Sequence, residues 1–89
     1  MLKKTELVGI SAHWIRNLPI GKKFKPADLY IFLELNHAVK IERRGDAETE
    51  PRYKNDARWA ILEAFNGGVV MRRARGVYER VDPLEGIVL

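Results

Sequence analysis

Apolar positions in the first part of the chain recur at spacings of three and four. Leu7, Ile10, Ser11, Trp14, Ile15 and Leu18 share one helical face, and the segment stops at Pro19 to Gly21. This predicts a first helix over about Thr5 to Asn17. A short extended piece, Gly21 to Lys25, leads into Pro26, whose missing N–H suits the first turn of a helix. The second helix is expected from Pro26 to about Ala38, with Leu29, Phe32 and Leu33 on its inner face and Leu35 as a further candidate. From Lys40 to Glu50 the residues KIERRGDAETE carry one large apolar side chain, Ile41, which reads as a charged surface loop over 40–51. A third helix is expected over about Tyr53 to Phe65, closed by Asn66, Gly67 and Gly68, since glycine accepts the left-handed conformation that caps helices. Val69, Val70 and Met71 read as one strand, and Val77, Tyr78 and Val81 as another. Arg72 to Gly76 between them reads as a hairpin tip, with Gly76 as the turn residue.

The order helix, short strand, helix, helix, strand, hairpin, strand predicts an α+β winged helix-turn-helix, a single domain over 1–89 with 82–89 as a C-terminal tail. The tail, DPLEGIVL, either frays or covers part of the core or a partner chain. On the third helix, Ala57, Ala60, Ile61 and Ala64 share a face, and this narrow stripe permits close approach to the first two helices. Trp59, Leu62 and Phe65 fan out toward the other side. Either the long loop or the first helix packs over them, or they form a dimer or partner surface.

Charge sharpens this picture. Residues 52–80 hold seven basic side chains (Arg52, Lys54, Arg58, Arg72, Arg73, Arg75, Arg80) against three acids (Asp56, Glu63, Glu79), a surplus of four. The remaining residues carry nine of each sign, so the whole formal charge of +4 lies on the third helix and the hairpin. That placement points to nucleic acid more strongly than the total does. The 89 residues suffice for one small core, and the chain contains no cysteine, which excludes disulfides and thiolate metal sites and fits a reducing cytoplasm. The longest apolar run, Leu29 to Leu35 broken by Glu34, falls far short of the roughly 20 residues of a membrane span. No signal peptide is expected from MLKKTELVGISAHW. A cytoplasmic protein without a membrane contact is the expectation.

Candidate chemistry follows the charge. Arg52, Tyr53, Lys54, Asn55 and Arg58 cluster at the start of the third helix, where a helix-turn-helix presents side chains to base edges in the major groove. Arginine can grip guanine with two bonds and asparagine can grip adenine, so Asn55 and Arg58 are expected to face bases. Arg52, Lys54 and the Tyr53 hydroxyl would hold the backbone. Arg72, Arg73 and Arg75 lie within four residues, and strand alternation would send Arg73 and Arg75 to one side, suited to phosphates or a narrow minor groove. Lys22, Lys23 and Lys25 form a weaker basic group, either a solvated turn or a backbone clamp. Signals for catalysis, metal or cofactor are absent: His13 and His37 stand in different helices without metal-ligand spacing, and Glu48 and Glu50 have no partner group. Trp14 and Trp59 read as core or half-buried aromatics rather than a base-stacking platform.

Asn55, Trp59 and Ala60 in NDARWA, the glycine before Val69 and Val70, and RGVYERV from Arg75 resemble the winged-helix domain at the N-terminus of Mrr-type restriction endonucleases. More distantly, the chain is similar to the winged-helix module that reads methyladenine in some modification-dependent restriction enzymes. The likeness is best over Arg52 to Val81; the front of the chain matches only in helix order. In such proteins the module binds DNA while a separate metal-dependent domain cuts it, and this sequence is expected to hold no such second domain. The resemblance implies a non-enzymatic module for double-stranded DNA in bacterial or phage DNA transactions related to restriction, and leaves methylation dependence open. The rival expectation is a protein-interaction winged helix in which Trp59, Leu62, Phe65 and the tail bury against a partner or a second copy. A third is an accessory specificity subunit that needs both a partner and DNA.

Overall fold

The computed structural model describes residues 2–37 and 52–82. The expected charged loop at 40–51, and the tail beyond Asp82, lie outside the described residues. Among the described residues the chain is α+β, with three helices and one three-stranded antiparallel sheet: α1 (Lys4–Arg16), β1 (Lys23–Phe24), α2 (Pro26–His37), α3 (Arg52–Asn66), β2 (Val70–Ala74) and β3 (Val77–Arg80).

Helix α1 buries Leu7, Ser11 and Ile15, spaced by four, and half-buries Ile10 and Trp14 beside them, with Leu18 half-buried just past its end. Pro26 opens α2 as expected, and the Lys25 N–H ahead of it donates to the Asp28 carboxylate at 2.8 Å, satisfying a donor the first turn leaves over. Leu29 and Leu33 point inward, while Leu35 is 78% exposed and does not join that face. The reason is rotation: Leu35 lies two residues past Leu33, about 200° around the helix. The glycine stop after α3 is a full Schellman cap. Gly68 takes φ +76°, its N–H bonds the Phe65 carbonyl at 3.2 Å, and the Val69 N–H bonds the Ala64 carbonyl at 2.9 Å.

The short strand β1 pairs with β3, so the sheet order is β1-β3-β2 and β3 is central. Backbone bonds extend the pairing past the strand ends, from Gly21 N–H to the Arg80 carbonyl at 2.7 Å and from Val81 N–H to the Val69 carbonyl at 3.1 Å. An aromatic chain joins helices to sheet: Trp14 stands edge-on to Phe24 at 5.5 Å and stacks with Phe32 at 6.0 Å, and Phe24 stacks with Tyr78 at 5.8 Å. Trp14 is thus the half-buried core aromatic the pattern predicts.

Helix α3 faces inward with the expected stripe. Ala57, Ala60 and Ile61 are buried, Ala64 is half-buried, and α1 is its principal neighbour. Small side chains let the two helix backbones come close. With Ala60 only 1% exposed, Ala60→Leu is expected to overpack this contact and cost roughly 1–3 kcal/mol, measured by chemical unfolding. Unchanged stability would show that α3 turns another face to α1.

Candidate nucleic-acid interface

The residues at the start of α3 divide between the core and the surface. Tyr53 is 2% exposed, its ring meets Tyr30 edge-on at 6.3 Å, and its hydroxyl donates to the Glu34 carboxylate. The expectation that this hydroxyl faces a phosphate is therefore corrected: Tyr53 fastens α3 to α2. Helical geometry explains it, because Tyr53, Ala57, Ala60 and Ala64 lie at spacings of four, three and four on the buried stripe. Lys54 is also partly engaged, with its Nζ over the Tyr30 ring at 5.4 Å from the centroid. Arg52, Asn55 and Arg58 stand exposed on the outer face.

Asn55 and Arg58 touch. The Arg58 Nη2 donates to the Asn55 Oδ1, one turn back along the helix. An amide oxygen has two lone pairs, so this contact orients Asn55 and leaves one acceptor site and both N–H donors free for a further partner. Such a group can meet the donor and acceptor pair on an adenine edge while Arg58 supplies further N–H donors beside it.

On the hairpin the structure corrects the sequence reading. Strand β2 runs to Ala74, so Arg72 and Arg73 belong to the strand, and only Arg75 and Gly76 make the turn, Gly76 with φ +71°. A register irregularity between Arg72 and Ala74 interrupts the simple alternation on which the expected pairing of Arg73 with Arg75 rests. Arg73 instead grips Glu79 through Nε at 3.2 Å and Nη2 at 2.7 Å. Arg72 stands opposite Tyr78 in the ladder, and both border a cavity of about 200 Å³ whose other walls include Pro26, Arg58, Ile61, Leu62 and Phe65. The fold therefore brings Arg58 of the helix and Arg72 of the strand to one cavity. Arg75 is exposed at the turn.

Two further basic residues differ in their use. Arg80 sends Nη1 to the Val69 carbonyl at 3.2 Å and also to the Val81 carbonyl, so it braces the ends of β2 and β3. Its part in the charge surplus is structural. Lys22, Lys23 and Lys25 are all exposed along β1 and its flanks, at the edge of the sheet.

Comparison of the chain with protein-family models, curated proteins and solved structures finds no match.

The apolar residues Trp59, Leu62 and Phe65 are 48%, 47% and 44% exposed, so α1 does not cover them as one of the expectations held; the loop that the same expectation invoked lies outside the described residues. Lys4 of α1 places its Nζ over the Trp59 ring, 5.4 Å from the centroid, and the Trp59 Nε1 donates to Glu63 at 3.0 Å. These aromatics and the polar pair occupy one surface. Counting about 100° per residue, Leu62 falls between Asn55 and Arg58 around the helix, and Phe65 falls just beyond Arg58. The helical spacing held this signal already, since Asn55 and Leu62 are seven apart and Arg58 and Leu62 four.

Proposed function

We propose that the chain is a winged-helix module that binds double-stranded DNA without a catalytic step of its own, with α3 in the major groove and the β2–β3 hairpin on the backbone or minor groove. The observation that carries this reading is the meeting of Arg58 and Arg72 at one cavity, with Asn55 held by Arg58 on the exposed side of α3. A helix and a hairpin that present cations to the same side can straddle a groove and its phosphates. The basic surplus of residues 52–80 supports it, and so does the sequence resemblance to the winged-helix domain of Mrr-type restriction endonucleases, which suggests a cytoplasmic role in bacterial or phage DNA transactions. Among the described residues no helix is long and apolar enough to cross a membrane.

Asn55 and Arg58 carry the sequence discrimination in this reading, and Arg52, Arg72 and Arg75 the general affinity. Selection from random duplexes, repeated with Asn55→Ala, Arg58→Ala and Arg75→Ala, is the test. Loss of a bidentate base contact should cost about 1–3 kcal/mol and relax preference at one base pair, whereas Arg75→Ala should weaken all sequences alike. Full discrimination in both Asn55→Ala and Arg58→Ala would move specificity away from α3.

The exposure of Trp59, Leu62 and Phe65 favours a second reading, a protein-interaction module in which this face meets a partner or a second copy. Because these side chains lie among Asn55 and Arg58, the helix cannot offer the face to both at once. Size-exclusion with light scattering, set beside retention on duplex DNA at moderate salt, separates the two: a concentration-dependent dimer with no retention supports the second.

A further inference from the structure

We infer that Leu62 and Phe65 form a thymine-selective subsite, taking the C5-methyl group of a thymine in the major groove beside the base pair met by Asn55 or Arg58. The inference rests on the proposed DNA-binding reading and adds the chemistry that its apolar residues would recognise.

Leu62 and Phe65 stand on the exposed side of α3 and line the cavity whose border carries Arg58 and Arg72. Such a place suits a partner that is anionic at its edge and apolar at one point. An apolar protein face would leave the two guanidinium groups facing apolar surface, at the cost of desolvation. A thymine in a duplex meets both demands, since a phosphate lies within reach of Arg72, the acceptors of a neighbouring base edge within reach of Arg58, and its methyl is an apolar group on the major-groove edge. Spacing agrees. Arg58 and Leu62 are one turn apart, about 6 Å along the axis at 1.5 Å per residue, so a helix lying in the groove sets them within about two base steps of each other at roughly 3.4 Å per step. The Asn55 amide and the Leu62 methyls then read an A·T-rich site by its hydrogen bonds and its methyl groups separately.

The test replaces thymine by uracil, which removes the methyl and keeps the base-pairing edge. Sites enriched from a random duplex pool are resynthesised with deoxyuridine at each thymine in turn, and affinity is measured by fluorescence anisotropy. One thymine is expected to matter, with affinity falling about fourfold on loss of its methyl, the value of one buried CH₂. Leu62→Ala should bind the thymine and uracil duplexes equally while keeping the parent's salt dependence. Circular dichroism checks that this variant is folded, and the comparison on the parent protein needs no variant at all. Equal affinity of the parent for every thymine and uracil pair, or an enriched site without thymine, overturns the subsite and leaves DNA binding standing. Discrimination that survives in folded Leu62→Ala and Phe65→Ala overturns the assignment to these residues. Absence of duplex binding at low salt overturns the functional reading beneath it.

Discussion

Replacing Arg72 and Arg75 together with alanine is expected to flatten the dependence of log duplex affinity on log salt by about 2 units. Each cation that neutralises a phosphate releases counterions and contributes roughly 0.9 to that slope. Neither side chain is tied into an ion pair among the described residues, and both are exposed, so their charge is available to a phosphate. Arg73 differs because Glu79 holds it at 2.7 Å. Changing Arg73 and Glu79 together to alanine removes no net charge and should leave the slope close to the parent's. Arg72 and Arg75 both lie away from the core, so unfolding should shift by no more than about 0.5 kcal/mol in the arginine pair variant. An unchanged slope in a folded Arg72→Ala, Arg75→Ala protein would take the hairpin out of the interface.

The largest effect on stability is expected from Ile15→Ala, roughly 2–5 kcal/mol. Ile15 is completely buried, in the cluster that also holds Leu29, Leu33, Ala57 and Ile61. Truncation loses the transfer free energy of three carbons and leaves a cavity that rigid neighbours cannot close. A domain of 89 residues has only about 4–13 kcal/mol of net stability, so this one change removes a large part of it. Urea unfolding should show a lower midpoint at an unchanged slope. Under conditions where the variant is still folded, duplex affinity should match the parent, because no part of Ile15 reaches the exposed side of α3. A cost below about 1 kcal/mol would mean that α1 does not belong to the cooperative core.

These two outcomes separate the parts of the molecule that make the platform from those that meet a ligand. Stability rests on α1 against α3 and on the aromatic run from Phe32 through Trp14 and Phe24 to Tyr78. Recognition, in the proposed function, rests on side chains that contribute almost nothing to folding. Tyr53 marks the border: it is next to Arg52 and Lys54 in sequence, yet its ring and hydroxyl are used to hold α3 on α2.

Local pattern was enough for the helices. Their limits follow from Pro19, Pro26 and the paired glycines at 67 and 68, and each observed helix lies within a residue of its expected bounds at the ends that are described. The alanine stripe of α3 was legible for the same reason, since helical periodicity alone sets which residues share a face. The charge surplus was legible because counting needs no structure. The fate of each charge was not. Arg73, Arg80 and Lys54 look equivalent to Arg72 and Arg75 in a sequence, but Glu79, the Val69 carbonyl and the Tyr30 ring engage the first three through contacts between elements. The length of β2 also escaped the sequence reading, because pairing with β3 draws Arg72 to Ala74 into the ladder although their own strand preference is weak. Only the packing of α3 against the sheet brings Arg58 and Arg72 to one cavity, with Leu62 and Phe65 in its wall. Residues fourteen apart in the chain meet there, and no local periodicity encodes that distance.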